Sequence, residues 1–130
     1  MQLSNEANSY CVRGTTRHLQ GDLAGALADF DAALKSSPKY AEAFYNRALA
    51  RKSKGDRAGA VADFTSALQF RPDLAEAHAN RCLTLLELDK DVEAQRDFDE
   101  YIRLKPTHWN KFQGIVEKAK YERLQRKNRS

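Results

Sequence analysis

Residues 41–74 read AEAFYNRALARKSKGDRAGAVADFTSALQFRPDL. Apolar side chains recur at helical spacing on both sides of Lys54-Gly55-Asp56-Arg57: Ala43, Phe44, Ala48 and Leu49 before it, Ala60, Val61, Phe64, Ala67 and Leu68 after it. The stretch therefore predicts two helices joined by a tight turn. Gly55 can take the left-handed conformation that ends the first helix, and Asp56 can accept backbone N–H groups at the start of the second. Pro72 closes the second helix, because it cannot continue the hydrogen-bond ladder and forces its predecessor into extended geometry. Working outward, a shift of 34 residues superimposes Pro38, Pro72 and Pro106, the chain's only three prolines. It also superimposes Arg13 on Arg47 and Arg81, Ala26 on Ala60 and Ala94, Asp29 on Asp63 and Asp97, and Phe30 on Phe64 and Phe98, with no gap. A fixed period of a few tens of residues marks an array of stacked supersecondary units. The units run over 7–40, 41–74 and 75–108, with 109–130 beyond them, in one domain over residues 1–130. Such an array offers an extended groove more readily than a closed chamber.

The 130 residues are 42% hydrophobic and 31% charged, the composition of an ordinary soluble protein. No apolar run approaches the roughly 20 residues that span a bilayer. The start, Met1-Gln2-Leu3-Ser4-Asn5-Glu6, has neither the basic opening nor the apolar core of a secretory signal, so the expected location is cytoplasmic. Cys11 and Cys82 fit no metal-ligand spacing and read as reduced structural thiols. The net charge of +4 is unevenly placed: residues 109–130 hold seven basic and two acidic side chains, while the repeats are close to neutral. Nucleic acid is not indicated as a partner of the repeat body.

The turn chemistry recurs at Gly21-Asp22 but changes in the third unit to Asp89-Lys90, with Asp91 as the candidate cap. Asp89 tolerates a left-handed backbone less well than glycine, so a different or strained turn is expected there. Arg13, Arg47 and Arg81 each precede Asp29, Asp63 and Asp97 by 16 residues. The spacing predicts a guanidinium–carboxylate pair between the two helices of a unit, or between neighbouring units.

A 34-residue helix-turn-helix with Tyr10 or Phe44 early in the first helix resembles the tetratricopeptide repeat. The resemblance is also carried by a small residue four positions on (Gly14, Ala48, Cys82), Gly-Asp at the turn, Ala followed four later by Phe, and a closing Pro. It covers residues 7–108 and implies an all-α, right-handed α-solenoid of three repeats with a C-terminal capping helix, about seven helices in all. It also implies a scaffold or adaptor for other proteins rather than an enzyme. Departures from the family pattern are Arg13, Arg47 and Arg81 where Leu is common, Arg17 and Arg51 (Leu85 in the third unit) where Tyr is common, His78 for an aromatic, and Tyr101 for a small residue. His78 reads as a packed core histidine, and the third unit is expected to pack differently.

In this family the first helices line the concave surface, which implies a groove of Val12, Thr15, Tyr45, Asn46, Leu49, Lys52, Asn80, Leu83 and Leu86. Asn46 and Asn80 hold the same position in adjacent units, and an Asn amide can both donate to and accept from a peptide backbone. The alternative is that each Asn bonds only to neighbouring helices. Family members that clamp the carboxyl terminus of heat-shock chaperones are similar to one another in using Lys and Asn, then Asn, then Lys and Arg. This chain has Cys11, Thr15, Asn46, Glu76 and Asn80 there, so that class of partner is not expected. After Pro106, Trp109, Phe112, Ile115, Val116 and Ala119 form a stripe predicted to cap the array. Lys118, Lys120, Arg123, Arg126 and Lys127 on the same helix are either a solvated face or a contact for an acidic partner, RNA or an anionic membrane. His18, His78 and His108 have no ligand-like spacing, and no phosphate-cradling loop or nucleophile elbow occurs, so no catalysis, metal or cofactor is expected. Self-association through Leu86 and Leu88 is the competing reading, which leaves a monomer or weak homo-oligomer.

Overall fold

The computed structural model describes residues 4–129; Met1 to Leu3, on which the secretory-signal expectation partly falls, and Ser130 lie outside them. Among the described residues the elements are α1 (Asn5–Leu19), α2 (Leu23–Ser36), α3 (Ala41–Lys54), α4 (Arg57–Phe70), α5 (Ala75–Glu87), α6 (Asp91–Leu104), a 3-10 turn (Pro106–His108) and α7 (Trp109–Arg129). They form two compact units, Met1–Leu74 with α1 to α4 and Ala75–Ser130 with α5 to α7.

The turns follow the sequence in the first unit. Gly21 and Gly55 hold φ of +83° and +93°, and the Asp22 and Asp56 carboxylates accept the Gly25 and Gly59 N–H groups at 3.0 and 2.9 Å. Helices α2, α4 and α6 each stop two residues before their proline, with a non-helical residue, Ser37, Arg71 or Lys105, in between. In the third turn Asp89 itself takes φ +61°. Asp91 is not the cap: counting by 34 from Asp56 puts Lys90 at that place, which has no side-chain oxygen to offer, and Asp91 becomes the first residue of α6.

Within each unit the paired helices close on a buried phenylalanine, Phe30 and Phe64 in the first unit and Phe98 in the second. Beside it lies a carboxylate that is only 3% exposed: Asp29, Asp63 or Asp97. Each is gripped at two points by the arginine sixteen residues earlier, in its own unit, by Arg13 at 3.0 and 2.7 Å, Arg47 at 2.9 and 2.8 Å, and Arg81 at 2.7 Å twice. A second cation joins from one turn further along. Arg17 reaches Asp29 at 3.0 Å and Arg51 reaches Asp63 at 2.8 Å. Leu85 stands in that place in the third repeat, and buried His78 meets Asp97 instead, through Nδ1 at 3.1 Å. Three charged or polar contacts per carboxylate offset its desolvation, which a single surface pair would not do. The Arg13 hydrogen bonds hold the Asp29 carboxyl below the usual carboxylate range. Burial pushes Asp97 the other way, but Arg81 and then His78 outweigh it and keep its carboxyl low.

In the second unit α7 lies on α5 and α6 through Phe112 and Val116 alone of its predicted stripe; Ala119 is half-buried. Trp109 and Ile115 are exposed, because beyond Phe112 and Val116 the inner line of α7 continues along half-buried Lys120 and Arg123 rather than along an apolar line. Phe112 stacks on Phe98 at 5.4 Å and meets Tyr101 at 4.6 Å, so the bulky Tyr101 is used to seat α7.

Candidate functional site

Helices α1 and α3 of the first unit run side by side and leave between them an open cleft of about 340 Å³. Its lining is Cys11, Val12, Thr15 and Thr16 from α1, Tyr40 at the start of α3, and Glu42 and Asn46 from α3. The helical period explains this set, since positions 11, 12, 15 and 16 share one face, as do 42 and 46. Val12 is 59% exposed and is the cleft's apolar surface. Thr15 and Thr16 turn their hydroxyl protons back to the Cys11 and Val12 carbonyls at 3.0 and 3.2 Å. That leaves their oxygens as acceptors. Asn46 donates through Nδ2 toward Thr15 Oγ1 at 3.4 Å and Cys11 Sγ at 3.5 Å, so its amide ties α3 to α1. The Tyr40 phenol is pushed up by burial first and by a hydrogen bond with Cys11 second, which keeps it protonated. Glu42 is the cleft's charged group and pairs with Arg71. The surface is apolar at its centre, rich in acceptors and without a lining cation.

Of the groove read from the sequence, Val12, Thr15 and Asn46 come together here. Tyr45 leans on Phe64 at 5.7 Å and is half-buried, as are Leu49 and Lys52. In the second unit Asn80 donates to the Glu76 carbonyl of its own helix at 3.0 Å, and Leu83 is half-buried. Leu86 is 2% exposed and cannot line a groove or a self-association patch. It lies with Val116 and Lys120 of α7 around a water-sized hole, and its carbonyl accepts from Arg123 at 2.9 Å. Sequence reasoning missed Tyr40 and Glu42. Their signal was position, since they flank Ala41 where the first turn of α3 approaches α1.

The basic set on α7 also divides. Arg123 forks onto both Asp91 oxygens and approaches Asp89 at 3.5 Å, and Lys127 meets Asp89 at 2.9 Å. Arg123, 19% exposed, is committed to holding α7 in place, whereas Lys127 is 58% exposed and its pair with Asp89 lies at the surface. Lys118 and Lys120 stand 4.0 and 3.9 Å from Glu122 and Glu117, and Arg126 is exposed.

Family profiles described as "TPR repeat" and "Tetratricopeptide repeat" match residues 14–55 and 41–74. The chain belongs to the tetratricopeptide-repeat family. Solved structures agree. The first TPR of Spaghetti (RPAP3) bound to HSP90 peptide SRMEEVD is 21% identical with a TM-score of 0.82, the match covering 92% of this chain and 96% of that one. The second TPR of Spaghetti, bound to the same peptide, is 25% identical with a TM-score of 0.74, over 77% and 93% of the two chains. A crystal structure of MamA is 16% identical with a TM-score of 0.75, over 97% and 82%. No curated protein matches the chain. Seven helices among the described residues and these likenesses give the tetratricopeptide α-solenoid fold, a fold of protein–protein interaction scaffolds. Among the described residues no helix is long and apolar enough to cross a membrane.

Proposed function

We propose that this tetratricopeptide-repeat protein is a non-catalytic adaptor that holds an extended segment of a partner protein along its first helices, with the α1–α3 cleft as the principal contact. The observation that carries the reading is the cleft's composition. An exposed Val12 is flanked by hydroxyl oxygens and by an amide whose nitrogen is already engaged and whose oxygen is left for a peptide N–H. Such a surface suits a segment with an apolar side chain and donor groups.

Two Spaghetti domains of the same fold are bound to the HSP90 peptide SRMEEVD. This chain's cleft disfavours that acidic ligand, because buried Cys11 and Thr15 supply no cation and Glu42 adds a negative charge. The test is a selection of linear peptides from a random library on the purified chain, with SRMEEVD as a comparison. Selected peptides are expected to bind wild type, to lose at least about tenfold on Val12→Glu, the loss of a ~1.4 kcal/mol contact, and to be free of a terminal acidic requirement. Undiminished binding by a Val12→Glu, Asn46→Ala chain of unchanged helicity, or tight binding of SRMEEVD, refutes the reading.

A further inference from the structure

Arg47 does two things at once. Its Nε and Nη2 hold Asp63 in its own repeat, and its Nη1 reaches back to Asp31 on α2 at 2.8 Å. That second contact belongs to the joint between α2 and α3, where Leu34 of α2 is buried in one cluster with Ala43 and Ala50 of α3, and Leu27 and Phe44 pack against it. Arg13, one repeat earlier, is held in the same pose. Its Nε and Nη2 grip Asp29, and its guanidinium stands 5.6 Å over the Tyr10 ring just as that of Arg47 stands 5.6 Å over Phe44. No described group meets Arg13 Nη1. The Arg13 side chain is 55% exposed against 17% for Arg47, and with Glu6, Ser9 and Tyr10 it lines an open recess of about 200 Å³.

We propose that this outer face of α1 is a docking site for an acidic amphipathic helix of a partner, seated as α2 is seated on α3. Three features fix the occupant's chemistry. The free guanidinium edge, already oriented by Asp29, asks for a carboxylate at the place of Asp31. The positions that correspond to buried Ala43 and Ala50 are Ser9 and Thr16, small enough for a helix to approach closely yet polar enough to leave the face wetted while it is empty. Tyr10, in the place of Phe44, supplies the aromatic wall for a leucine at the place of Leu27 or Leu34. The occupant therefore carries Leu, Asp or Glu, and Leu at i, i+4 and i+7. This face adjoins the α1–α3 cleft, sharing Thr16 at its edge, but it does not depend on the function proposed for the cleft.

The protein supplies its own probe. A fluorescein-labelled peptide of residues 22–37, stapled across positions 26 and 30, keeps the Leu27–Asp31–Leu34 face; Phe30 is on the side that α2 turns to Gly14 in its own repeat. Anisotropy titration against the full chain is expected to show saturable binding. Asp31→Asn in the peptide is expected to weaken it at least about tenfold, the loss of one charge-assisted hydrogen bond. Ser9→Glu in the protein, which leaves the Arg13–Asp29 pair intact, is expected to weaken it to a similar degree, and Asn46→Ala is expected to leave it unchanged. Absence of binding to wild type, equal binding of the Asp31→Asn peptide, or binding indifferent to Ser9→Glu overturns the proposal. The last result would place the peptide in the cleft or in exchange with α2.

Discussion

Replacing Asp63 by alanine is the sharpest test of what holds the repeats together. Asp63 is 3% exposed and receives Arg47 through two nitrogens and Arg51 through a third. Truncation removes three charge-assisted bonds and strands Arg47, whose side chain is 17% exposed and keeps only Asp31. Removing one side of a buried pair typically costs ~3–5 kcal/mol, and the partial exposure of both arginines places this case near the lower end, about 3 kcal/mol. In urea, with a slope of ~1–3 kcal/mol per molar for a domain of this size, the midpoint should fall by about 1–3 M. The assay is unfolding followed by circular dichroism at 222 nm. Asp29→Ala should cost less, because Arg13 is exposed enough to recover water. A double-mutant cycle of Asp63→Leu with Arg47→Met should show coupling of at least about 1 kcal/mol. A loss under about 0.5 kcal/mol for Asp63→Ala, or additive single effects, would refute the argument that these seams are integral to the fold.

Acid should act through the same carboxylates. Asp29, Asp91 and Asp97 sit below the ordinary value of ~3.9 in the folded chain, so their contribution is present above that value and lost as pH falls through the lower folded values. Thermal stability is expected to be flat down to about pH 5 and to drop below about pH 4, and Asp97→Asn should start lower and show a shallower acid limb. Burial pushes the Cys82 thiol up to about 12, beneath a lining that includes Val116 and Lys120 of α7. In a Cys11→Ala background, labelling by a disulfide reagent should be slow, and Arg123→Ala should speed it roughly tenfold if ~1.4 kcal/mol of α7 docking is lost; an unchanged rate would count against Arg123 as the tether. A Cβ on Gly14 would lie 2.7 Å from the Phe30 ring. Gly14→Ala should therefore destabilise by about 1–2 kcal/mol, overpacking exceeding the gain in helix propensity, a change readable as a lower urea midpoint.

Much of this fold was legible because a repeat reports each position three times. The turn glycines, the caps at Asp22 and Asp56, the proline stops and the Arg–Asp seams all follow from the 34-residue register. Where register and residue type disagreed, register prevailed. Asp91 reads as a capping residue by type, but Lys90 holds the capping place. Features made by one copy alone were hidden. Leu86 carries the signature of a first helix's open face until α7 covers it, and the inner line of α7 mixes Phe112 and Val116 with Lys120 and Arg123, a pattern no apolar period reveals. The cleft was half legible. Val12, Thr15 and Asn46 follow from the face of a helix, whereas Tyr40 and Glu42 depend on where the chain re-enters α3.

The left-handed Asp89 carries a consequence for how long such an array can grow. In the first two repeats the turn is finished locally, by a glycine and an aspartate next to each other in sequence. In the third the backbone closes the same way but no side chain caps α6, and the carboxylates of Asp89 and Asp91 are answered from more than thirty residues away by Arg123 and Lys127. The turn therefore works as a terminator, compatible with α7 and poorly suited to stand without it. Inserting a fourth unit after Leu104 would separate these partners and leave two carboxylates facing a helix with no matching cations. Lengthening the array would call for Gly-Asp to be restored at 89 and 90 and for the acidic pair to be moved to the new last turn.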